Sequence, residues 1–212
     1  MQKVLKIVVI VLLLLPVGGA AQSLDAKWLH TITNNTTPFL NSYSSVVSTS
    51  VPYVSAGLPV VFLAVGYLVN DEKLVSGGYY TLASLALSTA FTYELKYVIN
   101  RKRPYDKYPG YIDPRNGPVG GPSFPSMHTS MAFNTATALT LRYPKWYVAV
   151  PSYLWAGSVA YSRMNKGVHY PTDIIGGALV GAGCAYLTYK LNQWLNKPFE
   201  KMSRNTLLQL YD

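Results

Sequence analysis

A single cysteine, Cys184, in 212 residues leaves neither a disulfide framework nor a thiolate metal cluster available. It lies in an apolar run and reads as a small buried side chain. Charge is scarce too: 13% of residues are Asp, Glu, Lys or Arg, where an ordinary soluble domain carries roughly 25%. Acidic residues are the scarcest, 9 against 18 basic ones, so the formal charge is +9. That balance asks for an anionic partner. The basic residues form no long stripe and no nucleic-acid motif accompanies them, which favours anionic lipid or a phosphorylated substrate over nucleic acid. No internal repeat, low-complexity tract or domain boundary is visible, and the length suits one sizeable core.

What the chain has in abundance is apolar surface. Half of its residues are hydrophobic, yet the mean hydropathy is only +0.14, held down by 18 tyrosines and many Ser, Thr and Asn. Lys3 and Lys6 precede an apolar run, Ile7 to Val17, followed by Gly18-Gly19-Ala20-Ala21. A positive start, a short apolar stretch and small residues describe an export signal over 1–21, cut near Ala20 or Ala21. The alternative is an uncleaved first helix, although the run is shorter than the roughly 20 residues a span needs.

Residues 22–54 read as an amphipathic, interfacial segment, with Leu24, Trp28, Leu29 and Ile32 on one helical face and a break near Pro38. Asn34-Asn35-Thr36-Thr37 reads as a polar turn. A helical bundle over 55–196 follows, then a polar tail over 197–212. Five apolar segments build the bundle: Ser55 to Val69, Gly78 to Ile99, Met127 to Leu141, Trp146 to Tyr161, and Thr172 to Leu191. The expected fold is therefore all-α, a multi-pass membrane bundle of about five spanning helices. The one long connection, Asn100 to Pro125, is rich in Gly and Pro, and a loop of that length in a compact domain is usually functional.

Charge supports a topology. If the mature chain starts outside and each segment crosses once, Arg142, Lys145, Lys190, Lys197, Lys201 and Arg204 fall on the cytoplasmic side. The same count puts the long loop and the junction of the last two segments outside the cytoplasm, where the unusual polar residues gather.

Three short patterns sit there. Lys96 and Arg103, with Pro104 next, are a seven-residue step apart, nearly two helical turns, and Pro104 biases Arg103 toward an extended exit from the helix. Ser123-Phe124-Pro125-Ser126-Met127-His128 opens the third segment, with Ser126 placed as N-cap and free amides at a helix start favouring an anion. Ser162-Arg163 is followed after five residues by His169-Tyr170-Pro171-Thr172-Asp173, with Pro171 suited to a first helical turn. Singly, each piece has a structural reading: interfacial cations, a satisfied histidine, a hydrogen-bonded pair. Together they place two of only three histidines beside three cations on one face. Arg101 and Lys102, next to the first pattern, read as solvated surface charge.

As a set, the patterns resemble the K-x6-RP, PSGH and SR-x5-H-x3-D motifs of the type 2 phosphatidic acid phosphatase superfamily. That superfamily also includes bacterial class A acid phosphatases and vanadate-dependent haloperoxidases. Met127 departs from the pattern, standing where the family has Gly; it keeps the backbone N–H but narrows the pocket. The resemblance implies a phosphatase for phosphate monoesters, needing no metal or cofactor. By it, His169 attacks phosphorus, Asp173 holds the imidazole tautomer, and His128 protonates the leaving oxygen. Lys96, Arg103, Arg163, Ser126 and the Met127 amide would bind the phosphoryl oxygens. It implies substrates such as phosphatidic acid or a polyprenyl (di)phosphate, with membrane lipids as neighbours and the active site on the extracytoplasmic face. Two rivals remain on these residues: a soluble exported (periplasmic) acid phosphatase of broad specificity, and a non-catalytic membrane scaffold that binds an anion. A scaffold needs cations but has no use for the His128–His169–Asp173 set.

Overall fold

The computed structural model describes residues 19–115 and 117–211, with side chains over 23–115 and 117–195. The expected export signal at 1–21 thus lies outside the described residues, apart from 19–21. Six longer helices and one short turn follow in order: α1 (Gly19–Asn34), α2 (Pro38–Leu68), α3 (Glu72–Ile99), the four-residue α4 (Pro104–Lys107), α5 (Met127–Arg142), α6 (Trp146–Asn165) and α7 (Pro171–Tyr211). The all-α expectation holds, and the five apolar segments map onto α2, α3, α5, α6 and α7.

Local chemistry sets most of the ends. Thr37 caps α2 by accepting from Leu40 N at 3.2 Å, with Pro38 in the first turn, where a missing N–H costs nothing. Asp71 caps α3 through Lys73 N and Leu74 N, and Asn100 ends it in the left-handed region, φ 47°. Two boundaries differ from expectation. Helix α2 starts at Pro38, not Ser55, and runs through Pro52 and Pro59, so the expected division at residue 54 falls inside a helix. Helix α7 continues past Leu191 to Tyr211 where a polar tail was expected; no glycine follows Gly183 to stop it.

Helix α5 is the axis of the bundle, packed against α7, α6, α3 and α2. What it buries is small and polar: Thr129, Ser130, Ala132, Asn134, Thr135 and Ala136 are all at most 1% exposed. Large apolar residues instead face outward, among them Val60, Val61 and Leu68 on α2, Phe91 on α3, Leu154 on α6 and Ile175 on α7. In water that arrangement would forfeit the main driving force for folding. In hydrocarbon it is the expected one, because helices there associate through close backbone approach and interhelical hydrogen bonds. Those bonds are present. Asn134 Nδ2 donates to Ser84 Oγ (2.7 Å) on α3 and to Gly181 O (3.1 Å) on α7. Ser130 Oγ joins Ser88 and Thr92 of α3 at 2.8 Å each. Among the described residues, α2 and the 171–195 part of α7 are long and apolar enough to cross a membrane.

Glycines permit the α5–α7 contact. A Cβ at Gly177 would lie 2.5 Å from Ser126 O, and one at Gly181 would be 2.9 Å from Asn134 N and collide with Ser130 O. These are backbone atoms and cannot swing aside. Gly183, by contrast, faces open space. Gly181→Leu should therefore lower the thermal unfolding midpoint in detergent, by an amount equivalent to about 1–3 kcal/mol or more of overpacking. Gly183→Leu should leave it within a degree or two, roughly the scale of a surface substitution. Equal midpoints for the two variants would refute the tight α5–α7 contact.

Candidate active site

Every element that carries a candidate residue meets at one end of the bundle: the C-terminal ends of α3 and α6, the starts of α5 and α7, and the 100–126 connection. The two imidazoles and three cations named above converge there. Lys96 lies within electrostatic reach of Arg103, Arg163 and Asp173. His128 lies within reach of Arg163, His169, Lys166 and Lys96.

Lys96 and Arg103 do not meet through helical periodicity, since α3 ends at Ile99. Arg103 is extended (φ −69°, ψ 158°), as the following Pro104 favours, and the Gly/Pro-rich connection folds back over both cations. Lys96 Nζ donates to Pro122 O at 2.7 Å and reaches Ser123 O at 3.5 Å. Arg103 donates through Nε to Gly121 O (2.9 Å), through Nη2 to Gly120 O (3.1 Å) and through Nη1 to Val168 O (3.0 Å). Arg163, on the last turn of α6, donates to Ser48 Oγ at 2.5 Å, and its buried Nε has no hydrogen-bond partner. Arg103 and Arg163 are only 4% and 5% exposed. Burial lowers the pKa of Arg103, yet a guanidinium stays charged near neutrality.

The acceptors of all three cations are neutral. Carbonyl and hydroxyl oxygens fix the side chains in place without cancelling their charge, so the positive potential remains available to a ligand.

His169 follows a turn at Gly167, whose positive φ of 69° sets its backbone against Asp113 O. Its Nδ1 faces Asp173 Oδ2 at 3.4 Å, and its Nε2 faces Arg103 Nη1 at 3.4 Å. A carboxylate only accepts and a guanidinium only donates, so both neighbours select the same tautomer. Nδ1 carries the proton and Nε2 presents a lone pair. Burial pulls the His169 pKa down to about 3; the Asp173 contact opposes that shift, and Arg163 and Arg103 reinforce it. The imidazole is neutral near pH 7, with Nε2 unprotonated.

Ser126 occupies the N-cap position of α5 as expected, but its side chain makes no capping bond. Its Oγ instead accepts from Thr129 Oγ1 at 3.0 Å, while its own N–H donates to Asp173 O at 3.0 Å. The Met127, His128 and Thr129 amides therefore receive no cap from Ser126 and remain suited to an anion. Met127 and His128 are partly exposed at this mouth.

Arg101 corrects the sequence reading. It is no solvated surface charge: its side chain is 11% exposed and bridges Asp25 at 2.7 Å and Asp173 at 2.6 Å. Burial works against its charge, but Asp173 and Asp25 outweigh burial and raise its pKa. Lys102 is exposed, as expected. Asp25 and Ser123 also meet this cluster, although the sequence patterns do not single them out. Ser123 Oγ donates to Asp173 Oδ2, and its place in the second pattern was the only hint. Asp25 lies in what read as an interfacial segment, and its one signal was being a lone acid in the chain's first polar stretch. The third histidine, His30, stacks on Tyr111 at 3.8 Å, away from the cluster.

The PAP2 superfamily profile matches residues 77–197. Lipid A 4'-phosphatase of Bacteroides thetaiotaomicron is 36% identical over 70 residues, 33% of this chain and 31% of that one. Undecaprenyl-diphosphatase of Sulfolobus acidocaldarius is 34% identical over 98 residues, 45% and 46% of the two chains. The chain thus spans between about a third and a half of the length of these curated relatives. The crystal structure of Aquifex aeolicus LpxE superposes with a TM-score of 0.63 at 26% identity, covering 77% of this chain and 93% of the other. The first transmembrane PAP2 type phosphatidylglycerolphosphate phosphatase from Bacillus subtilis shares the fold, with a TM-score of 0.71 at 22% identity over 91% and 97%. With the profile covering more than half of the sequence and its three motifs gathered at one end of the bundle, the chain belongs to the PAP2 superfamily.

Proposed function

We propose that the protein is a membrane phosphatase that hydrolyses phosphate monoesters of lipids through a phosphohistidine. The observation that carries this is the set of three cations, Arg103 and Arg163 buried and Lys96 half-buried, with neutral partners around a neutral histidine whose Nε2 is unprotonated. Binding an anion needs the cations; the oriented nucleophile is needed only for chemistry.

In this reading, Lys96, Arg103 and Arg163 clamp the non-bridging oxygens, with the α5 amides beside them. His169 Nε2 attacks phosphorus, and the phosphorus–oxygen bond to the lipid breaks. His128, beside Arg163 and His169, takes up a proton with the incoming phosphate, whose negative charge offsets the neighbouring cations, and gives it to the leaving alcohol oxygen. Water then attacks the phosphohistidine, with His128 taking a proton from it, and inorganic phosphate leaves. Asp173 keeps the His169 tautomer and balances the charge that the ring acquires. Met127 adds bulk at the mouth while leaving its amide in place.

Several features support a membrane setting: the outward apolar faces, the two span-length helices and the named activities of the relatives, which act on lipid A or undecaprenyl diphosphate. Arg142, Lys145 and the exposed Trp146 and Tyr147 lie at the end opposite the site. Basic and interfacial aromatic residues there fit a cytoplasmic boundary; with the chain starting outside, the ends of α3 and α6 come after two and four crossings, which supports an active site on the extracytoplasmic face.

Purified protein in detergent should release phosphate from a short-chain lipid phosphate, and His169→Ala should reduce kcat at least about a thousandfold, the scale of losing a nucleophile. Unchanged release by a folded His169→Ala protein would overturn the assignment. The charge state gives a second test. The folded protein holds the His169 pKa near 3, whereas an unfolded chain protonates histidine near about 6.5. Between those values the unfolded form binds the extra proton, so stability falls as pH drops through that window. His169→Gln should flatten the dependence of the unfolding midpoint between pH 6.5 and 4, the upper part of that roughly 3–6.5 interval; an identical slope in both proteins would show that His169 does not contribute.

A further inference from the structure

Outside the family-matched region, Ser48 meets Arg163, and among the described residues one carboxylate reaches the catalytic machinery. Asp25, on α1, is 5% exposed and lies well before residue 77, where the match begins. Its Oδ2 accepts from Arg101 Nη2 at 2.7 Å and from the Thr172 hydroxyl, and its Oδ1 accepts from Thr172 N at 3.2 Å. Arg101 passes the connection on. Its Nη1 donates to Asp173 Oδ1 at 2.6 Å and to Thr172 Oγ1 at 2.7 Å, and its guanidinium lies 4.0 Å from the centre of the Tyr170 ring. The residues immediately after His169, namely Tyr170, Thr172 and Asp173, are therefore all gripped by one carboxylate–guanidinium pair.

Both oxygens of Asp173 are used. Oδ2 faces His169 Nδ1 and accepts from Ser123 Oγ and Tyr170 N, while Oδ1 accepts from Arg101. Arg101 alone among the cations here is in salt-bridge contact with that carboxylate. We propose that Asp25 and Arg101 are positioning residues for catalysis: by sharing one guanidinium between two carboxylates they fix Asp173 against His169 and set how much negative charge the imidazole feels. Docking of α1 is then a condition for turnover, and the N-terminal segment completes the site.

The arrangement makes opposite predictions for its two members. Removing the charge of Asp25 leaves the whole guanidinium charge to Asp173, which weakens the support Asp173 gives a protonated His169. Removing the charge of Arg101 frees Asp173 to stabilise that imidazolium. The other charged or titratable groups around His169 are Lys96 from α3, Arg103 from the connection, His128 from α5 and Arg163 from α6; both substitutions leave them in place.

The inference rests on the phosphatase reading, so the test compares kcat, KM and the pH profile of kcat in the full chain with a short-chain lipid phosphate. Absence of wild-type turnover would overturn that reading, and the inference with it. Given wild-type turnover, Asp25→Asn and Arg101→Gln should each lower kcat by about 10- to 100-fold, the usual range for a partner behind a functional ligand, with KM changed less than about twofold because neither touches substrate. The acid limb of kcat should move to lower pH in Asp25→Asn and to higher pH in Arg101→Gln. If Arg101→Gln does not fold, Arg101→Lys carries the test. It keeps the charge but loses the fork, so kcat should fall at least about fivefold with the limb unmoved. Wild-type kcat in the folded variants, limbs moving the same way, or an effect confined to KM would overturn the inference.

Discussion

Three cations at one end of the bundle hold their positive charge with no carboxylate in direct contact to cancel it. Lys96, Arg103 and Arg163 are buried or nearly so, and a buried charge must be hydrogen-bonded to persist. Carboxylates would satisfy that need while neutralising the site. The chain uses the carbonyls of Gly120, Gly121, Pro122 and Val168 and the hydroxyl of Ser48 instead. The Gly/Pro-rich connection follows from this, because only an irregular backbone can aim several carbonyls inward at two side chains. Arg163 Nε is buried without a hydrogen-bond partner, so nothing in direct contact cancels that guanidinium either.

Among the described residues, the carboxylate at the imidazole is Asp173, which makes no ion pair with the three cations. Its oxygens are taken by Arg101, Ser123, Tyr170 N and His169. Arg101 therefore does a different job from Lys96 and Arg103, although the three lie within eight residues of sequence. The distinction lies in their partners: two carboxylates for Arg101, neutral oxygens for the others.

This division explains what was legible in the sequence. The helices were, because apolar segments of near-span length broken by Asn70-Asp71 and Tyr143-Pro144 leave few alternatives. The site set was too, because Lys96, Arg103, His128, Arg163, His169 and Asp173 sit at motif spacings on one predicted face. The partners of Arg101 were not. Asp25 and Asp173 are far apart along the chain, and an arginine beside exposed Lys102 has the local signature of surface charge. The start of α2 was hidden by its composition, since Ser44, Ser48 and Ser55 look like linker residues until the structure shows them buried against α5, α6 and Arg163. In a bundle whose interior is small and polar, hydropathy reports the outer faces and misses the core.

An experimental structure with orthovanadate bound tests whether two imidazoles and three unneutralised cations enclose one tetrahedral oxyanion. Vanadium is expected at bonding distance from His169 Nε2, its oxygens met by Lys96, Arg103 and Arg163, and His128 on the side opposite His169. Vanadate bound elsewhere, or held by the cations with His169 Nε2 turned away, would contradict it.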